Sequence, residues 1–106
     1  GWWALDDGTG CIGSCGFHLP AGRPDVELGW SLFSATGQGY ATEAAQAALD
    51  WARDTGHAAD WTRIVSHIDR DNAPSQRVAA RLGAHDTGAA PAHDPACTIW
   101  HYEVAA

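Results

Sequence analysis

A glycine-bearing junction at residues 34–39 separates two residue patterns in this chain. Before it, Val26 to Phe33 alternates polar and apolar residues as a half-buried strand does. After it, apolar residues recur at the three- and four-residue spacing of one buried helical face: Ala41, Ala44, Ala45, Ala48, Leu49 and Ala52. Gly56 stands where a C-terminal helix cap belongs. The alanines of this face predict a helix that packs closely against a sheet.

The rest of the chain supplies further strands and a second helix. Residues 2–5 and 11–18 form a predicted hairpin around the turn residues 6–10, so three sequential antiparallel strands precede the junction. A strand is expected over residues 61–68 and a final one over 97–104, beside an earlier strand. The prediction is a mixed-sheet α/β (α+β) domain of order β-β-β-α-β-α-β, spanning residues 1–106 as one domain.

The second helix has clear end signals. Asn72 or a neighbouring residue is expected to cap its N-terminus, and Pro74 suits the first turn. The buried stripe of this helix is predicted at Val78, Ala79 and Leu82, before Gly83 ends the helix. Residues 84–96 consist mostly of Ala, Gly, Pro, Asp and His, which predicts a loop or a poorly ordered segment.

Charge limits the possible partners. The chain carries 13 acidic against 6 basic residues, a formal charge of −7, so its field repels phosphate backbones and anionic lipids. We therefore expect neither nucleic acid nor membrane as a partner. No apolar run is long enough to span a bilayer and no signal-peptide pattern is present, which predicts a soluble cytoplasmic protein.

The cysteines do not indicate a metal site. Cys11 and Cys15 are four apart on one predicted strand face, and Cys97 leaves an odd count. Neither the cysteines nor the six histidines supply a second paired motif at zinc-ligand spacing. Small packing residues are the preferred interpretation, and no metal is expected.

The junction itself has the chemistry of an anion site. Gly37 and Gly39 allow successive backbone N–H groups to point at one place, and the helix N-terminus adds about half a positive charge there. The P-loop motif and the dinucleotide fingerprint do not match, because the Gly-Lys-Ser/Thr run and a third glycine are absent. The alternative is that the glycines only make a tight strand-to-helix connection.

Three motifs in order give a more specific indication: Glu27-Leu28-Gly29-Trp30-Ser31-Leu32, Gly37-Gln38-Gly39-Tyr40-Ala41-Thr42-Glu43-Ala44, and Asp71-Asn72-Ala73-Pro74-Ser75-Gln76-Arg77-Val78 with Leu82-Gly83. This combination, over residues 27–83, resembles the GNAT superfamily of N-acetyltransferases. The hairpin at residues 2–17 and the last strand with Trp100 also match. The resemblance is closest to the branch that acetylates ribosomal-protein N-terminal alanines.

The resemblance implies acetyl-CoA as cosubstrate and an amine as acceptor. It implies that the pyrophosphate binds the backbone amides of Gln38, Gly39, Tyr40, Ala41 and Thr42 beside Gly37. The pantetheine arm is expected to pair with the backbone near Leu32 and Phe33. The family often has Arg or Gln at the position of Thr36, so one possible phosphate contact is weakened while the backbone amides remain.

The resemblance also implies the catalytic residues. Asn72 and Ser75 can be a helix cap and its partner, and in the family the Asn contacts the pantetheine arm while the Ser faces the CoA thiol. Because an ammonium group has no free lone pair, a base helps to form the amide. Glu27 is the candidate base, against the alternative of a solvated strand carboxylate. His67 is a second possible base, against the alternative of a half-buried histidine.

Family members normally begin with a strand and two helices before such a hairpin, so we expect a chain that lacks the elements forming one wall of the acceptor site.

The leading hypothesis is an N-acetyltransferase that transfers acetyl from acetyl-CoA to a primary amine, of a protein N-terminus or a small molecule, by direct attack. The alternatives are a non-catalytic acyl-CoA-binding or interaction module, or a structural domain without a ligand. A homodimer through exposed apolar surface is possible.

Overall fold

A computed structural model describes residues 2–6, 11–18, 25–32, 38–56 and 63–103. Its strands form one six-stranded sheet in the order β1-β2-β3-β4-β6-β5. The strands are β1 (Trp2–Asp6), β2 (Cys11–His18), β3 (Asp25–Leu32), β4 (Arg63–Asp69), β5 (His85–Asp86) and β6 (Cys97–Tyr102). The helices are α1 (Gln38–Asp54) and α2 (Ala73–Arg81).

The strand pairing confirms the predicted mixed α/β class. β1, β2 and β3 pair antiparallel in sequence, β3 and β4 pair parallel, and β6 lies antiparallel beside β4. The last long strand thus inserts beside an earlier one, as expected. The parallel pair is possible because α1 carries the chain back across the sheet between β3 and β4.

α1 covers the hydrophobic core of the sheet. Five of the six alanine and leucine positions predicted for its apolar face are buried: Ala41, Ala45, Ala48, Leu49 and Ala52. Ala44 is partly buried against the same core. The core residues of the sheet beneath are Cys15, Phe17, Val26, Leu28, Ile64 and Tyr102. Small side chains on the helix let its backbone approach the sheet closely, which is why the alanine stripe was predictive.

The ends of α1 differ in how well the sequence predicted them. The helix begins at Gln38, so Gly39 lies in its first turn and not in a connection before the helix. The helical hydrogen-bond pattern extends across Gly39 because glycine can adopt helical angles, at a cost of about 1 kcal/mol relative to alanine. Gly56 adopts φ 80°, the left-handed conformation expected of a residue just past a helix end.

α2 follows its predicted end signals. Asn72 is the N-cap, and its side-chain oxygen accepts a hydrogen bond from the backbone N–H of Ser75 at 3.2 Å. Val78 and Ala79 are buried, and Gly83 adopts φ 84° just after the helix. The cap and the buried stripe fix which side of this short helix faces the sheet.

The prediction of a loop over residues 84–96 was wrong in one part. His85 and Asp86 form β5, which pairs antiparallel with His101 and Trp100 of β6. The chain stays close to β6 beyond this strand, since the Ile99 N–H donates to the Ala89 carbonyl at 2.8 Å. Pairing with β6 overrides a local composition that disfavours strands.

β3 and β4 separate after a short parallel contact. Their paired residues end at Glu27 and Val65, although both strands continue beyond this point. The next bridge is made by a side chain: the Ser66 hydroxyl donates to the Leu28 carbonyl at 2.6 Å. Beyond that bond the two strands diverge and leave a gap in the sheet.

Several predictions fall outside the described residues. They concern Phe33 and Gly37 of the proposed cosubstrate site, the turn at 7–10, and the ends of the strands predicted at 61–68 and 97–104. Within the described part of the chain, no helix is long and apolar enough to cross a membrane.

Candidate active site

A cavity of about 220 Å³ opens where β3 and β4 separate. It is lined by residues 27–30 of β3, residues 66–69 of β4, and Asn72 and Ser75 at the start of α2. The structure therefore brings together Glu27, Asn72 and Ser75, three residues that the sequence singled out from two motifs. Their convergence depends on the strand separation, because a continuous parallel ladder would close this space.

Glu27 and His67 form a pair on one wall of the cavity. Glu27 is opposite Val65 in the parallel register, so Glu27 and His67 project from the same face of the sheet. The His67 Nδ1 and Glu27 Oε2 atoms lie 3.8 Å apart, with side chains that are 13% and 29% exposed. The His93 ring lies with its centroid 5.3 Å from that of His67. Both side chains line the cavity and are partly exposed.

Ser66 links the cavity to the core. Its hydroxyl donates to the Leu28 carbonyl and lies 2.8 Å from the Tyr102 hydroxyl. A hydroxyl has only one hydrogen, so the Tyr102 hydroxyl must be the donor to Ser66 Oγ. Burial raises the pKa of the Tyr102 phenol, which keeps this donor protonated. The two hydrogen bonds fix the point from which the strands separate.

Ser75 and Asn72 form the opposite side. The Asn72 side-chain oxygen is occupied by the helix cap, so its NH₂ group is the part that can contact a ligand. The Ser75 hydroxyl oxygen lies 3.3 Å from the Trp30 indole nitrogen, which is the donor. This hydrogen bond joins β3 to α2 at the edge of the cavity.

The N-terminus of α1 is suited to an anion. Among the residues that the structure describes, none lies within 4 Å of a Cβ atom built at Gly39, so they leave the space beside it open. The first turn contains no acidic residue, so no carboxylate of this turn competes with or repels a bound anion. The Thr42 hydroxyl oxygen is buried and has no hydrogen-bond partner in the described part of the chain. The first N–H groups of a helix have no partner within the helix, so this turn has the kind of donors that bind a phosphate group.

The structure describes some of the remaining predicted site residues, and these lie outside the cavity. Gln38, Gly39, Tyr40, Ala41 and Thr42 form the first turn of α1 and do not line the cavity beside Glu27. Leu32 is the last residue of β3, whose backbone continues from the cavity wall toward that turn. Among residues 2–6, 11–18, 25–32, 38–56 and 63–103, no group of three metal-ligating side chains was found.

Sequence reasoning missed Trp30 and Ser66 as site residues. A serine between buried Val65 and Ile68 was the available signal, because an uncharged polar residue in an apolar strand needs a partner. Trp30 gave no comparable signal, since a tryptophan on a strand normally indicates core packing. Its contact with Ser75 joins residues 45 positions apart.

Comparison with known proteins identifies the family. The family model for an acetyltransferase (GNAT) domain matches residues 1–85. The chain therefore belongs to the GNAT acetyltransferase family, which uses acetyl-CoA as cosubstrate. A search of the curated proteins found no match.

Solved structures support the assignment. An acetyltransferase from Agrobacterium tumefaciens is similar at 35% identity over 97% of this chain and 60% of its own, with a TM-score of 0.82. A putative GNAT-family acetyltransferase from Bordetella pertussis is 31% identical over 95% of this chain and 64% of its own, with a TM-score of 0.72.

A third structure shares the fold at lower identity. The ribosomal-protein-S5-alanine acetyltransferase from Vibrio fischeri is 22% identical over 89% of this chain and 54% of its own, with a TM-score of 0.67. In each of the three comparisons the chain spans less than two thirds of the similar protein.

Proposed function

We propose that this chain carries the acetyl-CoA-binding part of an N-acetyltransferase that acetylates a primary amine by direct attack. The observation that carries the proposal is the cavity at the β3–β4 separation, which places a carboxylate, Glu27, and a hydroxyl, Ser75, around one space. The separation of β3 and β4 supplies the space, and the motifs that contain Glu27 and Ser75 supply the carboxylate and the hydroxyl. Membership in the GNAT family supports the cosubstrate.

Binding of the cosubstrate would use the first turn of α1 and the end of β3. The amides of residues 38–42 are the proposed ligands of the pyrophosphate. Leu32 and Phe33 remain the proposed backbone partners of the pantetheine arm, and Asn72 offers its NH₂ group. Acetyl-CoA supplies the thioester, an activated acyl group with a thiolate leaving group.

Glu27 is proposed to take a proton from the acceptor ammonium group, because only the neutral amine can attack. A nitrogen–carbon bond then forms at the thioester carbonyl and the carbon–sulfur bond breaks. Ser75 would donate a hydrogen bond to the departing thiolate, which then takes up a proton. His67, 3.8 Å from Glu27, is placed to share the abstracted proton before it leaves for solvent.

The structure gives no support for a covalent acetyl-cysteine intermediate at Cys15 or Cys97. Burial raises the pKa of the Cys15 thiol to about 11. Burial, followed by the hydrogen bond to Asp94, raises that of Cys97 to about 11 as well. Both thiols are therefore protonated near neutral pH and are poor nucleophiles. Direct attack by the amine needs neither of them.

The acceptor is proposed to be a primary amine of a protein N-terminus or of a small molecule. Two carboxylates, Glu27 and Asp69, line the cavity, and no Arg or Lys does so among the described residues. Such a lining favours an acceptor that arrives as a cation. A cytoplasmic location, assembly as a homodimer and membership in the ribosomal-protein-alanine branch remain predictions.

The testing experiment is calorimetric titration of the chain with acetyl-CoA. Gly39→Glu adds bulk and negative charge in the open space at the start of α1, and we expect it to weaken binding by at least tenfold, through roughly 1–2 kcal/mol of lost charge complementarity. Gln46→Glu is the matched control, because it adds the same charge on an exposed position of α1 two turns further on. The control is expected to bind as the unaltered chain does.

Three outcomes separate the hypotheses. Saturable binding lost only in Gly39→Glu, with thiol release when amines are added, supports the transferase. Binding without thiol release supports the alternative acyl-CoA-binding module. Absence of binding by a folded chain contradicts the proposal for these residues.

A further inference from the structure

We propose that Trp30 is a positioning residue that holds the Ser75 hydroxyl in the orientation needed to donate to the CoA sulfur. This inference rests on the proposed function, in which Ser75 stabilises the leaving thiolate. It assigns to a tryptophan of β3 a role that acts through a residue of α2. The 3.3 Å contact between the indole nitrogen and the Ser75 oxygen carries it.

The direction of this hydrogen bond follows from the two groups. An indole N–H can only donate, whereas a serine hydroxyl has one hydrogen and two lone pairs. The Trp30 N–H therefore occupies a lone pair of Ser75 Oγ, and the Ser75 hydrogen must point to another acceptor. Both residues line the cavity, so an acceptor that enters the cavity near Ser75 meets the free hydrogen of that hydroxyl.

The same contact strengthens the donor. A hydroxyl that accepts a hydrogen bond becomes a better donor, because successive hydrogen bonds polarise one another. Without Trp30, the hydroxyl could rotate and direct its hydrogen to a nearby carbonyl, as serines in a first helical turn often do. The indole would thus lower the cost of orienting Ser75 at the moment when charge develops on sulfur.

Trp30 is held firmly enough for this role. Its ring is partly buried and packs against the core beneath α1, on the same sheet face as Leu28 and Val26. The Ser75 backbone is fixed in turn by the Asn72 cap. Two independently packed elements therefore set the distance between the indole and the hydroxyl.

A purely structural role makes a different prediction. If the hydrogen bond only joins β3 to α2, its loss lowers stability and leaves the thiol chemistry unchanged. The decisive readout is the pKa of the thiol of bound CoA, measured from the ultraviolet absorbance of the thiolate against pH after subtraction of the protein alone. This readout requires binding but no turnover.

We expect the bound thiol to have a lower pKa than free CoA. Ser75→Ala should raise the bound value by about one unit, as expected for loss of one hydrogen bond to a charged acceptor. Trp30→Phe, which keeps an aromatic ring but removes the N–H, should raise it in the same direction and by less. The double variant should match Ser75→Ala alone, since Trp30 acts only through Ser75. Trp51→Phe, a second tryptophan packed against the same core, is the control and should leave the value unchanged.

Several outcomes overturn the inference. They are an unchanged thiol pKa in Trp30→Phe or in Ser75→Ala, or effects of the two substitutions that add in the double variant. Each variant is first shown to be folded by thermal unfolding. Absence of CoA binding by the unaltered chain contradicts the proposed function itself. With CoA bound, an unchanged thiol pKa in Ser75→Ala contradicts the role of Ser75 on which the inference rests, whereas a shift in Ser75→Ala without one in Trp30→Phe contradicts only the role of Trp30.

A second measurement avoids altering Trp30. The indole N–H proton resonance of Trp30 should move upfield in Ser75→Ala, because the hydrogen bond that deshields it is lost, while the other indole resonances stay nearly in place. An unmoved Trp30 resonance would show that the indole does not donate to Ser75 and would overturn the proposal.

Discussion

Two cavities of similar volume lie on this sheet and differ in chemistry and origin. The polar cavity between β3 and β4 measures about 220 Å³ and contains Glu27, His67 and Ser75. The apolar cavity measures about 210 Å³ and lies between the first two strands and α1. Its lining residues are Trp3, Cys15, Ala44, Ala47, Ala48 and Trp51.

The difference shows two ways in which a fold leaves space. The apolar cavity lies where small alanines of α1 leave space beside the large rings of Trp3 and Trp51, which are in edge contact at 5.4 Å between centroids. The polar cavity exists because two backbones separate after Glu27 and Val65. Side-chain size sets the first and backbone path sets the second, so the two cavities should respond differently to substitution.

The largest expected effect is that of Glu27→Gln in the polar cavity. Removing the proposed base while keeping its shape should lower kcat about a hundredfold or more, with acetyl-CoA affinity unchanged. Glu43→Gln, on the exposed side of α1, is the matched carboxylate-to-amide control and should be without effect. Thiol release with an amine acceptor and calorimetry measure the two quantities. Unaltered turnover in Glu27→Gln would show that the carboxylate is only a solvated strand residue.

The next largest effect is a loss of stability on substituting Ser66, whose hydrogen bond to Leu28 lies where the polar cavity begins. Ser66→Ala leaves the Leu28 carbonyl and the Tyr102 hydroxyl buried without their shared partner, so the free energy of unfolding should fall by about 3 kcal/mol. Tyr102→Phe keeps the bond between Ser66 and Leu28 and should cost about 1 kcal/mol. Urea denaturation at neutral pH compares them. Equal losses would mean that the bond to Leu28 does not hold the strands.

A smaller effect is the loss of stability at alkaline pH that we expect from Cys15, which lines the apolar cavity. The pKa of the Cys15 thiol rises from 9.0 to about 11 because burial disfavours the thiolate. The buried, protonated Cys15 thiol contributes fully to the free energy of unfolding below pH 9.0, which is the ordinary pKa of the thiol. This contribution is lost as the pH rises through about 11, because the unfolded chain releases the thiol proton at a lower pH than the folded chain does. The expected loss from this group is about 2 kcal/mol.

Denaturation midpoints between pH 8 and pH 11 measure this loss, and Cys15→Ala should make the decline shallower. Cys97→Ala should remove a separate part of the decline, because the pKa of Cys97 is also raised. A decline that both substitutions leave intact would place the alkaline sensitivity elsewhere in the chain.

Much of the fold could be predicted because local patterns and tertiary packing agree. The alanine stripe of α1 specifies a helix and its buried side, while Asn72 specifies where α2 begins and the stripe at Val78 and Ala79 specifies its buried side. β5 could not be predicted, since His85 and Asp86 form a strand only by pairing with β6. The start of α1 was misplaced because Gly39 accepts helical and turn conformations alike.

The candidate site could be predicted only in outline. Motifs indicated Glu27, Asn72 and Ser75, but no periodicity reveals that a parallel ladder stops after Glu27. The contacts of Ser66 with Leu28 and of Trp30 with Ser75 join residues 38 and 45 positions apart. Such contacts follow from the path of the whole backbone, which single-residue patterns do not encode.

The β3–β4 contact also sets the order in which this molecule can assemble. The first three strands pair with sequence neighbours, so their meander can close through short loops. Glu27 meets Val65 only after the chain through α1 has closed a much longer loop, whose entropy must be lost before the contact forms. During synthesis β4 and α2 also leave the ribosome after α1. We therefore expect the cavity to form among the last parts of the fold, so that slow closure of this one loop would delay completion of the cavity without altering the meander.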